Sequence, residues 1–574
     1  MVKSNYDVAI LGSGLSGLTL ALQVLLREPS IRIVVLGKCS FPIPAGSGTV
    51  GESTVELASR YFADVLGLKR HMEEEQLPKL GLRYFLECEP GTLIENRLEV
   101  GGNKFAYTPS YQVDRASLEN YLWREVVSRG AVVMSSATVR DVVINNDESH
   151  EVIYQIEGRI EKIDGLRWIV DGSGRASVLK KKLELKSDNL EWGHSGTAAW
   201  WKMLGEHKID DWCPDPAWSM NNQGEHQRWF STNHLMGEGY WVWLIPLSSN
   251  QTSFGIVLDP SIHPFLNTLD KAIEWLNKHE PQAGAYCEKN KHLCKDFGAY
   301  KNYSFNCSRV ISGDRWALTG EAGLFIDPFY SPGSDFIALS NTYITDLIVR
   351  DYNKEGISLR AHLYNELFLK FARSTLNTFR GQYPILGNPL VLPIKVFWDW
   401  CFYWRFLARL FFEDKMCDLS FISKNQKRLE ELQCLGEEMQ SLFREWSTMQ
   451  RPSAKGGFLD LGKHPYLFKL NRSLSDRDIN LSFEDLFEND VCELFKLASE
   501  IRIVKSKFMS IGRAKKSESL NSIFMDPLFN DKESIIGPFV RDLGERIERE
   551  SLFLKTRVSD EVLMDEDMRG LAHV

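Results

Sequence analysis

The chain has 574 residues, of which 43% are hydrophobic and 25% charged, with a formal net charge of −9 at pH 7. These are globular values in a length sufficient for two to four domains, which excludes disorder, a collagen-like repeat or a disulfide-stapled mini-scaffold as the bulk of the chain. A mildly acidic balance also argues against general nucleic-acid binding, which draws its affinity from basic groups on phosphates.

The first residues pass almost directly into an apolar run, Tyr6-Asp-Val-Ala-Ile-Leu11, which reads as a buried strand. No charged segment followed by a cleavable apolar one precedes it, and no run of about 18 uncharged apolar residues occurs anywhere, so neither a leader nor a transmembrane segment is expected. The ten cysteines form no CxxC pair and none lies near a suitably spaced histidine pair. The expected setting is reducing and cytoplasmic, with no metal site.

Gly12-Ser13-Gly14-Leu15-Ser16-Gly17 follows the first strand, then a helical stretch Leu18–Leu26 and a second strand Ile31–Leu36. Strand, GxGxxG turn, helix and strand in this order form a dinucleotide fingerprint. Gly12 permits the tight turn, Gly14 lets backbone approach a diphosphate, and Gly17 allows close packing of helix on strand. The acid that usually ends the second strand is replaced by Gly37-Lys38, so ribose recognition uses other groups or that contact is lost.

Residues 41–56 form a Gly- and Pro-rich loop leading into a helix near Glu56–Leu66. Extended segments are expected over 80–110, a helix over 114–128, and alternating strands over 131–170 that end at Asp171-Gly172-Ser173-Gly174-Arg175. Short strands follow at about 190–260, with Trp200-Trp201 and Trp241-Val242-Trp243-Leu244-Ile245-Pro246. One strand is expected at 308–320, closing on Thr319-Gly320-Glu321-Ala322-Gly323, with a helix after Ser334. From about 350 onwards the chain reads as mostly helical. Its dense run Phe397–Phe406 reads first as a buried packing helix, with a substrate-lining or membrane-touching face as the alternative. Residues 470–574 are more polar, with a frayed end.

The ordered set GSGLSG (12–17), FP…VGEST (41–54), DRASLE (114–119), VDGSGR (170–175), WVWLIP (241–246) and TGEAGLFIDPFYSPG (319–333) resembles the flavin-dependent halogenase family, tryptophan-halogenase-like, within the FAD-dependent monooxygenase superfamily. The resemblance spans about residues 1–350. It implies an α/β, Rossmann-type FAD-binding fold of the p-hydroxybenzoate-hydroxylase kind. The FAD-binding domain (1–350) would carry an inserted, mixed substrate-side β-sheet (about 80–110 and 190–300), followed by a mostly helical region (351–574). It implies FAD held by Gly12, Gly14, Leu15, Ser16 and Gly17, by Gly51, Glu52 and Ser53, by Arg115, and by Gly320, Glu321 and Ala322. Trp241, Trp243, Ile245 and Pro246 match the family's GWxWxIP signature, with Tyr240 at its Gly position.

The implied chemistry is that reduced FAD and O2 give a flavin hydroperoxide, which halide converts to hypohalous acid that travels to a lysine beside an organic substrate. Lys79, in Pro78-Lys79-Leu80-Gly81, matches that lysine; a surface turn after Pro78 is its other reading. Implied partners are a flavin reductase, halide, and an electron-rich phenol-, pyrrole- or indole-like substrate, including one tethered to a carrier protein, in secondary-metabolite biosynthesis. In the family a Ser-x-Gly turn holds halide through backbone N–H groups; here it is Ser331-Pro332-Gly333. Proline has no N–H, and losing one such bond costs about 1.5–3 kcal/mol. The Gly333 N–H or the Ser334 hydroxyl could compensate, while Asp335 would oppose an anion or cap the following helix. Two other functions stay open: a non-halogenating monooxygenase, dehydrogenase or reductase on the same scaffold, and a flavin-binding scaffold without catalysis.

Overall fold

A computed structural model describes residues 6–547, apart from 48–49, 90, 146–148, 187–191, 217, 219–226, 450, 477–480, 514–530 and 532. The chain end expected to fray and residues 48–49 of the loop expected at 41–56 lie outside the described residues.

The apolar run after Asp7 forms the strand Val8–Leu11, buried throughout, and the helix Leu15–Arg27 covers it. That strand pairs in parallel with Ile33–Leu36 on one side and Trp168–Asp171 on the other. Val132–Met134 and Trp316–Leu318 extend the parallel sheet at either end, and Ile311–Ser312 adds an antiparallel edge. Parallel strands of this kind need cover on both faces, which explains their unbroken hydrophobicity. The single strand expected at 308–320 is two short ones, because Gly313 and Asp314 turn the chain back and the Ser312 hydroxyl accepts the Asp314 N–H.

A second sheet of eight strands stands beside the first. Its order is Cys294–Tyr300, Thr197–Leu204, Gln251–Leu258, Tyr240–Leu247, Thr232–Gly237, Leu82–Leu86, Leu98–Gly101 and Gly457–Asp460. The strands expected to be short at 190–260 include three of eight residues. Period-two alternation places Trp241, Trp243, Ile245 and Leu247 in the main core and Tyr240, Val242 and Leu244 in a smaller core on the other face. Strands at Thr138–Val143, His150–Ile156 and Arg159–Leu166 form a separate antiparallel sheet.

Beyond residue 350 the chain is mostly helical, with long helices at Ser358–Asn377, Val391–Tyr403, Gln426–Met449 and Phe483–Arg513. The strand Gly457–Asp460, unmarked by any residue pattern, pairs in parallel with Leu98–Gly101 and ties this region to the second sheet. No helix among the described residues is long and apolar enough to cross a membrane. The helix Gly333–Tyr352 links the halves. At its end Asp351 accepts from Trp168 Nε1 at 2.9 Å and Arg315 Nε at 3.0 Å and also pairs with Arg167. Burial works to raise the Asp351 carboxyl, but these bonds outweigh it and hold it at about 2.

Candidate active site

The first site element is backbone. Gly12 has φ +119°, and a Cβ there would lie 2.3 Å from the Gly172 carbonyl oxygen; at Gly17 a Cβ would lie 2.0 Å from the Gly12 oxygen. The strand ends and the helix are therefore clamped together, and only glycine fits. A Cβ at Gly14, by contrast, would meet nothing within 4 Å. The helix mouth is open there, with the unpaired N–H groups of its first turn available to an anion.

A cleft of about 90 Å³ gathers Leu15, Gly51, Arg115, Gly320, Glu321, Gly333 and Ser334 from segments far apart in sequence. Arg115 is aimed by two neighbours: Nη1 donates to the Val50 carbonyl at 2.9 Å and the guanidinium pairs with Glu119. Glu321 pairs with Arg175 at 2.8 Å, and Arg175 in turn lies 3.8 Å over the Tyr300 ring. Other residues expected to touch cofactor sit behind this wall. Ala322 and Ser16 are buried. The Glu52 carboxylate faces Lys202 at 3.3 Å, and the Ser53 hydroxyl meets Thr232 and Lys79.

The turn before the long helix is strained. Tyr330 and Ser331 have φ of +66° and +61° in succession, a conformation costing non-glycine residues about 1–3 kcal/mol each. The Ser331 N–H donates to the Pro328 carbonyl at 3.0 Å, so it is committed within the turn, and Ser331 is not part of the cleft wall. Pro332 has no N–H to offer. The amides at the start of the helix, from Gly333 and Ser334, are the ones that adjoin the cleft.

A larger cavity of about 190 Å³ lies beyond, and Pro332 forms part of the wall of both. Its lining includes a cluster of aromatic rings, among them Phe371, Phe379, Trp400, Phe402, Trp404 and Phe406. The 397–406 run thus serves both readings left open by the sequence: Trp398 and Cys401 are fully buried while Trp400, Phe402, Tyr403 and Trp404 face the cavity. Tyr330 closes one side, its hydroxyl donating to Asp399 at 2.9 Å, and Asp399 also pairs with Lys395.

Lys79 is in this cavity wall, only 2% exposed, which removes the surface-turn reading. Its Nζ donates to Ser53 Oγ at 2.8 Å and to the Thr54 carbonyl at 2.7 Å. Burial draws the ammonium down to about 7, against the pull of the Glu56 and Asp335 carboxylates. Sequence reading missed both as neighbours of the lysine. Asp335 accepts from Tyr403 Oη at 2.8 Å and from the Ala58 N–H at 2.9 Å. It therefore caps the Glu56–Arg60 helix, not its own, and its side chain opens to the Lys79 cavity instead of the cleft beside Gly333. Burial lifts Asp335 to about 7 and also raises Glu56, which accepts from Asn471 Nδ2 at 3.0 Å.

Trp241, Trp243, Ile245 and Pro246 line neither cavity. Trp241 lies 5.3 Å from Phe329 and donates from Nε1 to Tyr383 Oη at 3.4 Å; Trp243 Nε1 donates to Ser253 Oγ at 3.1 Å. They form a packed layer beneath the loop that carries Tyr330. Tyr240 turns the other way, to Glu280 at 3.0 Å.

An open helix mouth at Gly14, a clamped strand–helix junction and a cleft with a cation and helix amides suit a flavin dinucleotide, whose diphosphate the first helix would hold and whose remainder the cleft at Arg115, Gly320 and Gly333 would hold. When bound, such a flavin supplies two-electron chemistry with O2. The family model described as "FAD binding domain" matches residues 5–261. The chain is 23% identical over 439 residues to the flavin-dependent halogenase chlA of Dictyostelium discoideum, covering 71% of this chain and 70% of that protein. It is 26% identical over 368 residues to the tetracycline 7-halogenase of Kitasatospora aureofaciens, covering 59% and 61%. Among solved structures, halogenase PltM in complex with phloroglucinol and FAD superposes with a TM-score of 0.55 at 16% identity, over 86% of this chain and 96% of that one. The protein is an FAD-dependent oxidoreductase, and the relatives it resembles are flavin-dependent halogenases.

Proposed function

We propose that the protein is an FADH2-dependent halogenase of an electron-rich aromatic substrate, with Lys79 as the residue that holds hypohalous acid beside the ring. One observation carries this reading. Lys79 is a desolvated amine in an aromatic-walled cavity that shares Pro332 with the cleft suited to FAD. A buried ammonium can hydrogen-bond a hypohalite and make its halogen more electrophilic, and an amine near neutrality can also be halogenated itself. Ser53 Oγ and the Thr54 carbonyl point the amine; the aromatic walls exclude water and stack against a ring. The amides of Gly333 and Ser334 are the donors proposed for halide, because Ser331 N–H is spent and Pro332 has none. Reduced FAD would come from a separate flavin reductase. Relatives named for pyrrole attached to a peptidyl-carrier protein support extending the substrate range to carrier-bound rings.

The experiment is incubation with FAD, a flavin reductase, chloride or bromide, and a panel of phenols and indoles, with products read by mass spectrometry. Halogenated product is expected, and Lys79→Ala should abolish it while O2 still reoxidises the flavin. Turnover yielding only hydroxylated or desaturated products would reject the proposal. It would favour a non-halogenating monooxygenase, the reading that the missing amide at Pro332 supports.

A further inference from the structure

The polar end of the Lys79 cavity carries more anion than the lysine needs. Glu56, Lys79 and Asp335 all line it, from the starts of two helices and from the loop after Pro78. Among the described lining residues the cations are Lys79 and Lys104, and Lys104 is exposed. One buried ammonium therefore faces two carboxylates. Asp335 accepts from Tyr403 Oη and the Ala58 N–H, and Glu56 from Asn471 Nδ2 and Trp404, while Lys79 Nζ donates to Ser53 and Thr54; an ionised carboxylate has about four lone-pair sites, so both keep room for a further donor. This end of the cavity can take a hydrogen-bond donor. It repels an acceptor or a second anion, since an unpaired buried charge is costly.

We propose that Glu56 and Asp335 are the groups that select a phenolic hydroxyl on the substrate and take its proton as the ring is halogenated. This rests on the halogenase reading above. The choice of a hydroxyl over an indole or arylamine N–H follows from acidity. A phenol ionises near 10, and burial has lifted Asp335 to about 7, within reach of it. Ionisation also raises the electron density of the ring carbons ortho and para to the oxygen.

The atoms balance as follows. The hydroxyl proton passes to the carboxylate. The ring then gives an electron pair to the halogen of hypohalous acid; the carbon–halogen bond forms and the halogen–oxygen bond breaks, leaving hydroxide. Hydroxide removes the proton from the substituted carbon as water. The carboxylic acid returns its proton to the product oxygen, so a phenol and hypohalous acid become a halophenol and water.

The test uses the full chain loaded with FAD, with resorcinol, its dimethyl ether and 3,5-dihydroxybenzoate as probes. Two isosteric variants, Asp335→Asn and Glu56→Gln, are compared with the unsubstituted protein. Losing a charge-assisted hydrogen bond is worth roughly 10- to 100-fold. With reductase and bromide, resorcinol should exceed its dimethyl ether by about that factor or more in kcat/KM, and the benzoate should be the poorer diol. In both variants the diol-to-ether ratio should collapse toward one. A ratio unchanged in both variants, or an ether used as well as the diol by the unsubstituted protein, overturns the proposal. A binding titration by quenching of tryptophan fluorescence, without halide or reductase, separates the two readings. Preference for the diol that is lost in both variants, with no ring brominated, keeps the recognition and fells the halogenase reading. Equal affinity for diol and ether fells the recognition. Circular dichroism and the bound-flavin spectrum report whether each variant is folded.

Discussion

The two cavities that meet at Pro332 are built from different materials. The cofactor side leans on backbone: Gly12 and Gly17 clamp the first strand to its helix, Gly14 leaves the helix mouth open, and Gly51, Gly320 and Gly333 line the cleft beside it. The Lys79 cavity is shaped by side chains from segments near residues 56, 79, 335, 375, 400 and 470. A backbone site recognises what every flavin dinucleotide shares and tolerates little change. A side-chain site can be retuned residue by residue without disturbing the cofactor, and the proposed function places substrate choice there.

The sharpest break between them is Lys79→Ala, expected to lower halogenated product about 10²- to 10⁴-fold, the usual worth of a positioned proton-donating group, while FAD still binds. Product formation by mass spectrometry and flavin absorbance give the two readouts. On the backbone side, Gly17→Val would drive a side chain into the Gly12 carbonyl. It should destabilise the apoprotein by about 3 kcal/mol or more and abolish FAD retention. Gly14→Ala sharpens the contrast. Its Cβ meets no protein atom within 4 Å, so urea unfolding of the apoprotein should be nearly unchanged, whereas FAD affinity should fall about 10-fold. Equal loss of stability in both glycine variants would break the distinction.

Asp351→Ala touches neither cavity but takes the shared carboxylate away from two arginines and an indole at the junction of sheet and helix. Removing one partner of a buried pair costs about 3 kcal/mol, so the melting temperature should drop with little change in the relative use of substrates. The last effect is on pH. His234, wholly buried between Tyr84 and Trp241, is held down to about 3 chiefly by desolvation. Its folded value lies below the unfolded one near 6.5. Below pH 6.5 the unfolded chain therefore binds a proton that the folded chain refuses, and stability falls by about 1.4 kcal/mol per pH unit from this group as the pH is lowered toward 3. Urea midpoints at pH 6.5, 5.5 and 4.5 would show this, with a shallower slope in His234→Phe.

Legibility in the sequence followed the same division. The first strand, the glycine turn and the first helix were readable because each of their causes is local: an unbroken apolar run, a glycine spacing and a helix start. The strand Gly457–Asp460 was not readable. Its partner is Leu98–Gly101, more than 350 positions away, and a short strand at a sheet edge carries almost no periodic signal. Asp335 was misjudged for a related reason. A carboxylate in the first turn of a helix is expected to serve that helix, but packing of the Gly333–Tyr352 helix against the Glu56–Arg60 helix offered it the Ala58 amide instead.

Sequence alone determined the strand, glycine turn and helix of the cofactor half, which follow from residue types at fixed short spacings; it offered Lys79 only through the family resemblance, with a surface turn as the other reading. Tertiary structure alone decided that Glu56 and Asp335 flank that amine, that Ser331 spends its N–H on Pro328, and that one proline divides two cavities. Such arrangements depend on which distant helices pack together, and packing is settled by the summed burial of side chains across the whole fold, not by any one stretch of it.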